Sequence, residues 1–153
     1  MTLLINVLGG PALNSRLNLS VREKYGYSYT IEAHYSPFPD LGYWSIYFGS
    51  DQKHLDKTLR IVYKEIEKLK TNLLTEKQLK VAKEQLKGHI ALSLDSNVGL
   101  MQGLAKSLLL FNQIDSIEDI YAGIDNITSE AVQEVAITYF DTTKITSLIF
   151  DVK

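Results

Sequence analysis

LGGPALNSRLNLSVREKYGYSYTIEAHY, residues 8–35, carries a helix end, a second short helix and the start of a strand in one uninterrupted stretch. Leu3, Leu4, Val7 and Leu8 recur at helical spacing and stop at Gly9-Gly10-Pro11. Glycine there can adopt a left-handed cap, and proline cannot continue the helix. Asn14 or Ser15 is placed to cap a second helix through Arg16, Leu17, Leu19, Val21 and Arg22, which should end at Gly26. Tyr29, Ile31, Ala33 and Tyr35 then alternate with Ser28, Thr30, Glu32 and His34, the period of a strand with one buried face. Arg22 therefore falls in a last helical turn and Tyr29 at the start of a strand, seven positions later.

Outward from this stretch, Pro37-Phe38-Pro39-Asp40-Leu41-Gly42 reads as a turn, and Tyr43 to Phe48 as a strand with aromatic residues on both faces. The short connection makes the two strands an antiparallel hairpin. Asp51 is expected to cap a long helix with an apolar stripe of Leu55, Leu59, Val62, Ile66 and Leu69, its other side Lys and Glu. Thr75 with Gln78 matches a capping box for a helix that turns Leu79, Ala82, Leu86 and Ile90 inward. A further helix runs through Leu100, Leu104, Leu108 and Phe111. Ser116 with Asp119, and Thr128, announce two more helix starts. Lys144 to Val152 is expected to be a closing strand. A hairpin followed by several helices and one strand points to an α+β domain, an antiparallel sheet with helices packed on one face, rather than a repeated βαβ wind.

With 153 residues, 45% of them hydrophobic, the chain can bury one sizeable core, and residues 1–153 are expected to form a single domain. Sixteen basic and eighteen acidic residues leave a net charge of −2, too little cationic excess for a surface that neutralises a run of phosphates. Nucleic acid is not an expected partner. No apolar run approaches the roughly 20 residues that cross a bilayer, so no membrane association is expected. The absence of cysteine removes disulfides and thiolate metal sites, and suits a reducing compartment such as the cytoplasm. The opening MTLLINVLGG lacks a basic leader and a cleavage site, and reads as the tail of a helix. A chain that begins inside such an element is expected to be part of a longer protein.

Chemistry-bearing patterns are sparse. His34, His54 and His89 each lack a histidine or glutamate partner at metal-ligand spacing, so no metal is expected on this chain. There is no G-x-S-x-G and no cysteine nucleophile, and no phosphate-binding loop can be written across Gly9-Gly10. What remains is the pair Arg22 and Tyr29. A guanidinium donates hydrogen bonds in a planar fork and a phenol donates one from the end of a rigid ring, and both suit a peptide carbonyl. The plainer alternative pairs Arg22 with Glu23 or a neighbouring helix and makes Tyr29 one more of the nine tyrosines filling the core.

The Gly-Gly lead-in with the frame S-R-L-x-x-x-x-R-E-K-x-G-x-x-Y resembles the C-terminal half of the M16, or pitrilysin, zinc peptidases, which include the mitochondrial processing peptidases. The resemblance is dense over residues 1–50, through L-G-Y-W-S-I-Y-F-G, and continues in T-E-K-Q-L-x-x-A-K-E-Q-L-K-G and I-D-N-I-T-S-E-A-V-Q-E-V-A. Asn18 and Ser20 stand where bulkier residues are common, and Tyr25 and Tyr27 flank Gly26. The resemblance implies the ferredoxin-like half of an M16 domain, here without its first strand. An empty strand position leaves an open edge that recruits partners, so a homo-oligomer through that edge is expected.

By the same resemblance, this chain is the noncatalytic, substrate-binding half of a zinc endopeptidase. Arg22 and Tyr29 then act as auxiliary residues that hold the peptide or protein substrate near a zinc ion carried by an N-terminal half with the H-x-x-E-H motif. That half is the implied partner, and this chain alone is expected to be inactive. Two other readings stand beside it. One is a noncatalytic M16-like structural or partner subunit; the other is a nucleic-acid module whose exposed Tyr43, Tyr47 or Phe48 stacks on bases, against which the acidic balance speaks.

Overall fold

The computed structural model describes residues 1–150. Its elements are helix α1 (Thr2–Gly9), a π-helical turn (Asn18–Glu23), strands β1 (Ile31–Pro37) and β2 (Gly42–Phe48), and helices α2 (Leu55–Thr71), α3 (Glu76–Leu94), α4 (Asn97–Phe111), α5 (Ile117–Asp125) and α6 (Ser129–Tyr139). The architecture is α+β, with an antiparallel β1–β2 ribbon backed by helices. Ile31 pairs with Phe48 and Pro37 with Gly42, so the hairpin closes over the expected turn. There the Phe38 amide donates to the Leu41 carbonyl at 2.7 Å.

The core collects one face of β1 and the inner stripes of the helices. Leu4 and Leu8 of α1, Leu17 and Val21 of the next segment, Ile31 and Ala33 of β1, Ile66 and Leu69 of α2 and Phe140 after α6 are all buried together. Phe140 is fully buried and lies 4.8 Å from the Trp44 ring, while the Trp44 indole N–H donates to the Tyr139 carbonyl at 3.2 Å. This pair ties the end of α6 to β2.

Local sequence signals hold where they were self-contained. Thr75 and Gln78 form a reciprocal capping box on α3, Ser116 and Asp119 form one on α5, and the Thr128 hydroxyl caps α6 by accepting from Ala131 N–H. On α3, Ala82 and Leu86 are buried as the period required, with Leu79 and Ile90 partly covered. The α2 stripe is rotated from the expected one. Thr58, Val62, Glu65, Ile66 and Leu69 are buried, while Leu55 and Leu59 sit half-exposed at its edge. Asp51 makes no side-chain capping bond. It precedes a 3₁₀ turn, Gln52–His54, that leads into α2.

Two further expectations, at the end of α1 and after Lys144, are also corrected. Gly10 closes α1 with φ −61° rather than in the left-handed region. The glycines are needed for space, since a Cβ on Gly9 would lie 2.8 Å from the Ala33 Cβ and one on Gly10 would lie 2.7 Å from the Asn6 carbonyl oxygen. The closing strand expected at Lys144–Val152 is not formed over its described part. Thr142–Lys144 is a 3₁₀ turn, and 145–150 joins no ladder, leaving Leu148 and Phe150 exposed. β-propensity does not make a strand without a neighbour to accept its hydrogen bonds. The remainder of that expectation, 151–153, lies outside the described residues.

Helix α4 also departs from its period. It forms, capped by Ser96 and closed by Asn112 at φ 51°, yet none of its residues is buried. Leu104, Leu108 and Phe111 are all exposed.

Two measurements check this account. Gly9→Ala should destabilise the protein by about 1–3 kcal/mol in urea unfolding, because the added methyl enters a filled contact. A change below 0.5 kcal/mol, a threshold of about the size expected of surface substitutions, would mean that α1 and β1 can separate freely. Light scattering at high micromolar concentration should show association through the open ribbon edge. A monomer alone would remove that expectation.

Candidate functional site

Arg22 and Tyr29 flank a backbone reversal built from the intervening residues. From Arg16 the chain is helical and widens into the π-helical turn, where the Lys24 amide reaches back five residues to the Leu19 carbonyl at 3.1 Å. The Ser20 hydroxyl donates to the Arg16 carbonyl at 2.7 Å. The buried Asn18 amide donates to the Ser15 hydroxyl at 2.9 Å. Both side chains thus bond within their own segment. π-helical turns are rare and occur most often at functional sites.

Gly26 then takes φ +62°, a left-handed position that glycine fills without strain. Gly26 and Tyr27 amides donate to the Arg22 and Val21 carbonyls, which closes the turn. Tyr27 stacks on His54 at 4.4 Å and on Tyr25 at 5.2 Å, pinning the reversal to the start of α2. Ser28 is buried, its hydroxyl donating to the Thr30 carbonyl at 2.7 Å.

Tyr29 does not begin β1; it stands just before it and is 83% exposed. Its placement in the core is therefore excluded. Among the described residues its hydroxyl makes no hydrogen bond, so its donor is free for a ligand. The Arg22 side chain is 39% exposed, and its Nε lies 3.7 Å from a Glu23 carboxylate oxygen. An exposed pair of this kind contributes at most about 1 kcal/mol, and a better acceptor can displace it. Both donors are accessible on the two sides of one short reversal.

The histidines are apart. His34 lies 3.2 Å from Glu32 on the exposed face of β1, His54 is stacked on Tyr27, and His89 is half-buried on α3. No three metal-ligating side chains come together among the described residues. None of the helices described is long and apolar enough to cross a membrane.

The family model described as the peptidase M16 inactive domain matches residues 1–86, more than half of the chain and the whole of the segment holding Arg22 and Tyr29. The chain belongs to the M16 peptidase inactive-domain family. An uncharacterized zinc protease of Bacillus subtilis is 32% identical over 136 residues, covering 89% of this chain and 33% of that protein. The bovine mitochondrial-processing peptidase subunit beta is 28% identical over 132 residues, covering 86% of this chain and 26% of its own length. The chain thus spans about a third or less of the curated relatives it matches.

Among solved structures, a peptidase M16 inactive domain from Pseudomonas fluorescens superposes with a TM-score of 0.76 at 25% identity, over 90% of this chain and 32% of that one. A conserved protein from Enterococcus faecalis gives 0.73 at 26% identity, over 88% and 31%. The M16 domain fold follows from these likenesses.

Because both candidate residues sit outside the core, Arg22→Ala and Tyr29→Phe should each leave the urea midpoint within about 0.5 kcal/mol of the unaltered protein. A loss above 2 kcal/mol in either would assign that residue to holding the fold.

Proposed function

We propose that this M16 domain is the noncatalytic, substrate-holding part of a zinc endopeptidase, with Arg22 and Tyr29 donating hydrogen bonds to the backbone carbonyls of a bound peptide. The observation that carries the reading is the accessibility of these two donors on one reversal, inside the segment that matches the family. Attack on an amide places negative charge on the carbonyl oxygen. A fixed donor aimed at that oxygen lowers the barrier by about 3 kcal/mol, and a second donor on a neighbouring carbonyl holds the scissile bond in register. When bound, zinc supplies the activated water from a part of the protein outside this chain.

The names of the relatives support the zinc and the protease activity. The bare apolar face of α4 supports a further contact, since an N-terminal half of the same protein would cover Leu104 and Leu108. Separate N-terminal and C-terminal halves then complete one cleft. The chain alone hydrolyses nothing under this reading.

In the full-length protein, Arg22→Ala and Tyr29→Phe should each lower kcat/KM on a fluorogenic peptide by about 100-fold, the size expected for one lost donor. Bound zinc, measured by atomic absorption, should stay at the level of the unaltered protein. Unchanged cleavage in both variants would remove the clamp. A full-length protein without zinc and without cleavage would instead make the chain part of a structural or partner subunit.

A further inference from the structure

A second feature of the Arg16–Tyr25 segment lies on another side of it and takes no part in the peptide clamp. Arg16, Ser20 and Lys24 follow one another every fourth residue, and so do Arg60, Lys64 and Lys68 on α2. On α2, residues four apart share a helix face, so that set forms a stripe about 12 Å long. Arg16, Ser20 and Lys24, from the segment that holds the π-helical turn, line the same open cleft of about 410 Å³. Five cations line it against one carboxylate, Glu65, in a chain whose overall charge is −2.

The carboxylate is already engaged. Glu65 is buried and accepts from the Lys68 ammonium at 2.6 Å. Arg16, Lys24, Arg60 and Lys64 have no carboxylate within ion-pair distance among the described residues. Lys24 instead lies 5.1 Å over the Tyr25 ring, which also lines the cleft. Burial lowers the Arg16 guanidinium from its ordinary pKa, with Glu65 acting in the opposite direction. Four like charges turned into one cleft repel each other, and an anion seated between them removes that repulsion.

We propose that this cleft is a binding site for a short phosphate chain, in which Arg16, Lys24, Arg60 and Lys64 neutralise successive phosphoryl groups. Closely spaced charges along such a chain match a trough lined with cations on both sides. The Arg60 and Lys64 side belongs to α2, so occupancy bridges α2 to the π-helical segment that carries Arg22. The site stands independently of the peptide clamp, because none of its cations is Arg22 and its occupancy is read without turnover.

The test uses the full-length protein and inorganic tripolyphosphate, with binding read by calorimetry and by the rise in melting temperature. Binding should weaken by at least tenfold in Arg60→Glu and in Lys64→Glu, both exposed positions on α2. Lys77→Glu, an exposed change of equal charge on α3, should alter it less than twofold. Raising salt from about 0.05 to 0.5 M should weaken it further, as screening requires. Retained circular dichroism in the two α2 variants excludes unfolding as the cause. No binding of tripolyphosphate, an equal loss in Lys77→Glu, or tighter binding of a poly-glutamate peptide would each overturn the proposal.

Discussion

The close approach of α1 to β1 at Gly9 is the constraint on which the other placements depend. With no side chain at Gly9, the helix end comes against the Ala33 backbone, where a Cβ would meet the Ala33 nitrogen at 2.9 Å. That contact sets Leu4 and Leu8 over the buried face of β1, beside Ile31. It also fixes where the chain must re-enter the sheet after the helical segment from Arg16. The segment between is anchored on its inner side by Leu17 and Val21, both fully buried. Its other sides are thereby left toward solvent: Arg22 is partly exposed there, and Arg16 and Lys24 line the cleft toward α2.

The π-helical turn gives this anchoring its particular form. A wider turn shifts the phase of the residues after it, and here the shift is accompanied by short polar bonds from Asn18 and Ser20 rather than by bulky packing. Gly26 reverses the chain, Tyr27 stacks on His54, and Ser28 is drawn into the interior. Tyr29 is left outside by elimination. Its exposure follows from the burial of its neighbours Ser28 and Ile31 rather than from any pairing of its own.

How much of this was legible depended on the range of the forces involved. Capping boxes at Thr75 and Ser116 act within one turn, and their sequence spacing was enough. The alternation through Ile31, Ala33 and Tyr35 identified β1 for the same reason, although Tyr29 fell outside it because burial of Ser28 breaks the alternation. The Gly9-Gly10 pair marked the helix end correctly, but its steric purpose involves Ala33, more than twenty positions away, and is invisible to local rules. The strand expected after Lys144 needed a neighbour that the described residues do not offer. The sequence places Lys and Glu on the side of α2 away from its apolar stripe; only the fold shows Arg60 and Lys64 lining one cleft with Arg16 and Lys24. The pair Arg22 and Tyr29 was legible as a motif, and the structure adds that both lie outside the core.

The central claim, that the reversal around Gly26 holds substrate, is tested most directly by site-specific photocrosslinking. A benzophenone amino acid is placed at position 29, and in a separate protein at position 47, where an exposed tyrosine of β2 serves as the comparison. Each full-length protein is irradiated with a labelled peptide substrate under conditions that block turnover. The account predicts capture of the peptide at position 29 and little at position 47. Equal capture at both positions, or capture at 47 alone, would contradict it.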